Sequence, residues 1–158
     1  MGMKLIEHIE VGAGGVLSST FSNIPQDAVD LVLFMSARSS AGSTNDSVLI
    51  RVNGNFATTN ARLYAQANTI GQDTSRPENT ANGSTSNAFG SISYYFSNYA
   101  VTGPKMVIAD FAAPTQGSQP WLGMVATQMT VTDPITSMEI SEPVLQHSTY
   151  SLYKITAD

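Results

Sequence analysis

The sequence predicts an all-β protein, an antiparallel β-sandwich of about ten strands with jelly-roll-like connections. Three observations predict it. Short runs such as Val48–Val52 and Ser91–Phe96 alternate from residue to residue, a period of two that sends one face to a core and the other to solvent. Gly, Pro, Asn or Asp closes nearly every run, as turns between strands require. No stretch sustains a helical period: the best, Thr59–Gln66, is too short to stand without tertiary support.

The elements follow in order. Lys4–Val11 alternates imperfectly, which suits an edge strand. Gly12–Gly15 is a turn, and Val16–Ser22 returns as the second arm of a hairpin. Val29–Arg38 is the strongest strand, with Leu31–Met35 apolar on both faces, as in a central strand covered by a loop or a neighbouring subunit. A polar connection leads to Ser47–Asn53, closed by Asn53-Gly54, the pair that tolerates positive φ. Ala61–Gln66 is a weaker strand. Residues 67–87 then form a long polar loop, of a length that is functional or mobile in compact domains. Phe89–Ser97, Lys105–Ala112, Trp121–Val131, Ile135–Ser141 and Ser148–Thr156 complete the strands, with a polar bend at Pro114–Pro120.

Composition narrows the function. The 158 residues suit a single domain, are 42% hydrophobic and only 12% charged, and Ser and Thr make up about a fifth of them. A surface made polar by hydroxyls and amides fits the outer faces of strands. The formal charge is −5 and the seven Lys and Arg are scattered, which argues against nucleic acid and against an anionic membrane. Arg38 and Arg51 read as snorkelling surface residues. There is no cysteine, hence no disulfide, thiolate nucleophile or usual zinc set. The N-terminal residues lack the apolar run of a signal peptide, and no segment has the apolar length of a membrane helix. A soluble chain, not exported by the standard route, is expected.

Catalytic and metal residues are expected to be absent. His8 and His147 lack metal-ligand spacing. Asp27, Asp30, Asp46, Asp73 and Asp133 sit in turns, where Asp bonds its own backbone. Asp110 interrupts an apolar strand on the face of Met106 and Ile108, at a sheet margin or in a buried pair. Asn45-Asp46-Ser47 and Asn82-Gly83-Ser84 match the glycosylation sequon, which means little without export. No nucleophile elbow, P-loop or dinucleotide fingerprint occurs. No enzyme and no cofactor are expected.

Several segments, taken together, carry a resemblance. Leu5-Ile6-Glu7 opens the chain, followed by Thr20–Pro25, Leu31-Val32-Leu33 with Ser36–Ser39, and Ile50–Gly54. Farther on stand Asn87–Ile92, Phe96–Tyr99 and the ending Tyr150–Ile155. The ordered set resembles a family of β-sandwich virion proteins of tailed bacteriophages, stand-alone decoration proteins and fibre-terminal modules. This chain differs in Asn55-Phe56-Ala57 after its Asn-Gly, and in Lys154 where the family's ending usually has Gly. The resemblance implies a capsid decoration or cement protein on the virion surface, assembled in the host bacterial cytoplasm. Its partners would be the major capsid protein or other virion proteins and further copies of itself, a trimer being the expected oligomer. The alternative is a tail or head-fibre module that binds host glycans through Tyr99 or Trp121 and loop amides. Leu31, Leu33 and Met35 are the candidate subunit or capsid contacts, and Asp73, Arg76, Glu78 and Asn82 the candidate loop contacts.

Overall fold

The computed structural model describes residues 2–66, 69–115 and 120–157, apart from the side chains of 57 and 58. Among them every regular element is a strand: β1 (Gly2–Glu10), β2 (Ser19–Phe21), β3 (Asp30–Ser39), β4 (Asn45–Ser47), β5 (Ile50–Val52), β6 (Asn55–Gln66), β7 (Thr69–Asp73), β8 (Glu78–Ala81), β9 (Gly90–Phe96), β10 (Lys105–Ala113), β11 (Trp121–Met129), β12 (Met138–Ile140) and β13 (Thr149–Thr156). Eight form a large antiparallel sheet in the order β1-β13-β3-β9-β10-β11-β6-β7. A smaller layer, β2-β12-β5, packs on it. The strand β6 belongs to both: Asn55 and Phe56 pair with β5, and the rest pairs with β11. The antiparallel sandwich expected from the alternation is the fold that forms. Neighbours in the large sheet are mostly remote in sequence, and the first strand lies beside the last.

The inner face of the large sheet supplies Leu31, Leu33, Met35, Ile92, Phe96, Val107, Phe111, Val125, Tyr150 and Leu152. The small layer answers with Phe21, Ile50, Val52, Met138 and Ile140, all buried. The turn at Asn53-Gly54 joins β5 to β6 with φ of 48° and 78°, the two positive values a two-residue hairpin needs. Asn53 also ties that turn to the chain before β12, accepting from the Thr136 and Ser137 N–H groups at 2.9 and 3.1 Å.

Four expectations are corrected. The hairpin between Lys4–Val11 and Val16–Ser22 does not form: β1 pairs with β13 and β2 with β12. Gly14 and Gly15, at φ 93° and 72°, carry the chain from one layer to the other instead. Three further strands, β4, β7 and β8, come from segments too polar to read as strands. Two of them lie in 67–87, so that stretch is not one long polar loop among its described residues. Residues 67 and 68 of it, and 116–119 of the polar bend, lie outside the described residues. The proposed contacts Leu31, Leu33 and Met35 are 0, 0 and 3% exposed. They face Phe96, Tyr94 and Ile92 of β9 across the ladder, and those neighbours choose the inner face where alternation could not. Finally, Arg38 is buried and Arg51 half-buried, neither snorkelling freely.

Candidate functional site: an apolar outer face

Two regions depart from the pattern of polar outside and apolar inside. The first is the polar end of the sandwich, where all four residues of β8 are buried. Two arginines hold it. Arg62, on the inner face of β6, grips both oxygens of Asp73 at 2.8 and 2.6 Å and reaches Glu78 at 2.8 Å. Its guanidinium also lies over Tyr64 and Trp121, 4.8 and 5.4 Å from the ring centroids. Burial opposes the Arg62 charge, but the bonds from the two carboxylates outweigh it and raise its pKa. The same bond holds the Asp73 carboxyl below the usual range.

Arg38 does the corresponding work for residues 82–88. It donates to the carbonyls of Asn82 and Ala88, each at 3.0 Å, and to those of Ser84 and Thr85. Behind them lies Glu142, 2% exposed, accepting from Asn79 at 3.2 Å while its second oxygen is buried without a partner. Burial, reinforced by the charges of Asp46 and Glu78, pushes the Glu142 carboxyl up to about 8, against the opposing Asn79 bond. Gly90 fits here because a Cβ would stand 2.3 Å from the Asn79 side-chain oxygen.

These contacts locate the loop candidates. Asp73 and Glu78 converge on Arg62, a residue that sequence reasoning passed over, and Arg76 lends its carbonyl to the same guanidinium at 3.1 Å. Asn82 is exposed, but its carbonyl serves Arg38. The set is internal scaffolding, apart from the exposed faces of Asp73 and Asn82. Tyr99 is fully buried, with its hydroxyl on the Pro25 carbonyl, so it offers no surface to a sugar. Trp121 stacks on Tyr64 at 5.0 Å and is half-buried.

The second region is the outer face of the large sheet. Register places Leu5, Tyr153, Val32, Tyr95, Ile108, Ala126 and Ala61 in one row from β1 to β6. The next row runs His8, Ser151, Phe34, Ser93, Asp110, Met124 and Leu63, with His8 Nδ1 2.8 Å from the Ser151 hydroxyl. Phe34, Ile108, Met124 and Leu63 are 44, 49, 54 and 55% exposed. Monomeric proteins rarely expose contiguous apolar patches beyond a few hundred Å². Asp110, expected at a margin or in a buried pair, is exposed in the middle of this face.

No cation stands among these rows. Of the seven basic residues, Arg38, Arg62, Lys105 and Lys154 are buried, Arg51 and Arg76 are intermediate, and Lys4 alone is exposed. Lys154 reaches both Asp27 oxygens at 2.7 and 2.6 Å, and Arg51 lies 3.5 Å from Glu139. The positive charge of the chain is mostly spent inside it.

Among the described residues no group of three His, Cys, Asp or Glu could hold a metal ion. His147 lies 3.8 Å from Glu10 and apart from the His8–Ser151 pair. The cleft between the layers, lined by residues such as Ile50, Tyr94 and Val107, has a volume of about 20 Å³, and two open surface grooves are larger, about 540 Å³ beside Arg62 and Asp73 and about 510 Å³ beside Arg38, Asn82 and His147. No family model, curated protein or solved structure matches the chain.

Proposed function

We propose that the protein is a structural component of a tailed-phage virion, a capsid decoration or cement protein whose large outer sheet face packs on the shell. The observation that carries this reading is the apolar, cation-free outer face. Its alternating strands place Phe34, Ile108, Met124 and Leu63 in solvent at positions where a solvated sheet would carry polar groups. Burying such a face against another protein gives a contact dominated by shape and apolar area, with a polar rim. The ordered segments from Leu5-Ile6-Glu7 to Tyr150–Ile155 support the virion context. So does a cysteine-free chain, whose folding is indifferent to the redox state of the compartment.

The test is co-purification with intact heads. A decoration protein is present at high and regular copy number, and imaging of the particle places it on the outer shell. A handful of copies per particle, or a tail location, overturns the decoration reading. Glycan binding by the isolated chain would move it to the fibre class.

A further inference from the structure

We propose that β1 is a self-association strand, pairing antiparallel with β1 of a second copy in one register that sets Lys4 against the partner's Glu7. This goes beyond the virion reading and does not depend on it. The strand ends the large sheet: β13 pairs with one side, and no strand among the described residues covers the other. It is nine residues long and solvent-exposed over most of its length, with Met3 and Leu5 54 and 47% exposed. An uncovered edge of that length is a template for another strand.

A β-bulge fixes which strand fits. The ladder with β13 shifts between Leu5 and Glu7. Met3, Leu5, His8 and Glu10 therefore share the outer face, opposite Ile155, Tyr153, Ser151 and Thr149. Gly2, Lys4, Glu7 and Ile9 share the inner one. Opposed residues in an antiparallel pair point to the same face. A bulged strand can then pair with its own copy over eight residues in two face-matched registers: one sets Gly2 opposite Ile9, Met3 opposite His8 and Lys4 opposite Glu7, the other Met3 opposite Glu10, Lys4 opposite Ile9 and Leu5 opposite His8. A shorter register that also matches faces sets Lys4 against Lys4, where like charges repel.

Charge selects the first of the two long registers, because the second sets Lys4 against the apolar Ile9. Within the chain Lys4 stands across from another cation, Lys154, whose carboxylate partner is Asp27. The partner's Glu7 gives Lys4 a carboxylate of its own, and two-fold symmetry repeats the pair. Lys4 is also the one exposed cation of the chain. The two large sheets then join edge to edge, and their apolar outer faces become one continuous surface.

The purified chain tests this without any particle, so its outcome is separate from that of the virion reading. Sedimentation should give twice the chain mass at high concentration. Lys4→Glu and Glu7→Lys should each weaken the dimer about tenfold, and the double exchange should restore it. Because the chain has no cysteine, single thiols report the register. Opposed Cα atoms lie about 4.5–5.5 Å apart, within disulfide reach. A mixture of Lys4→Cys and Glu7→Cys chains should cross-link under mild oxidation, and neither alone should. A monomer or trimer mass, a dimer indifferent to the charge exchanges, or Lys4→Cys alone cross-linking as readily as the mixture would overturn it.

Discussion

The polar end of the sandwich and the outer face of its large sheet break the same rule in opposite directions. At one, Glu78, Asn79, Thr80 and Glu142 are buried although polar; on the other, Ile108, Met124 and Leu63 are exposed although apolar. The difference is in who supplies the partner. Each buried carboxylate has a donor inside the chain, Arg62 for Glu78 and Asn79 for Glu142, and so its burial is a matter of folding. The exposed aliphatic side chains have no cover among the described residues. Departures of the first kind are answered within the fold, and departures of the second kind point away from it.

The largest way to break this contrast is at Glu142. Its folded carboxyl keeps its proton to about pH 8, against 4.5 for the ordinary group. Between those values the unfolded chain has lost a proton that the folded chain retains, so stability falls as pH rises. The slope is about 1.4 kcal/mol per pH unit from this group, and it levels off above pH 8. Glu142→Gln should remove that slope, leaving the variant equal to the parent near pH 4 and more stable by on the order of 4 kcal/mol at pH 8. Urea unfolding across that range decides it, and parallel profiles for the two chains would show that Glu142 is ionised in the folded state.

Arg62→Met comes next. It leaves Glu78 buried without its cation and should lower stability by about 3–5 kcal/mol, the usual effect of breaking a buried pair from one side. Arg62→Lys should fall between the two, keeping the charge but not the two-pronged grip on Asp73. A loss under about 1 kcal/mol in the unfolding free energy from urea titration for Arg62→Met would mean that packing, not the ion cluster, holds this end.

The smallest effect on stability belongs to the outer face. Ile108→Ser with Met124→Ser should change the unfolding free energy by no more than about 0.5 kcal/mol per site, as surface substitutions do. If the proposed decoration role is right, the same double variant loses binding to heads that lack the protein, measured by co-sedimentation. Retained binding would move the contact to another surface.

How much of this was legible follows from the same contrast. Ten of the strands could be read because their alternation is carried by apolar side chains, as in Lys105–Ala113, buried at every second residue. The irregular reading of Lys4–Val11 was informative too: Leu5-Ile6 breaks the period where the bulge lies, on the edge strand. The strands β4, β7 and β8 escaped because Asn45–Ser47, Thr69–Asp73 and Glu78–Ala81 are polar: Arg62 holds β7 and β8 through Asp73 and Glu78, and β4 is tied through Asn45 to Glu78 and through Asp46 to Ser39. A period of two also cannot say which face turns inward when both are apolar. Leu31, Leu33 and Met35 were thus exchanged for Val32 and Phe34. Arg62 had one readable sign, a lone cation within a strand that is followed by carboxylates at Asp73 and Glu78.

The position of β13 has a consequence for how the molecule comes into being. It follows the twelve other described strands in the sequence, yet it slots between β1 and β3, so that part of the ladder cannot close before Thr149–Thr156 has been made. Such sequence-distant closure makes folding slow. Until β13 is in place, the flank of β3 that receives it stays open, with Leu31, Leu33 and Met35 lacking their β13 neighbours.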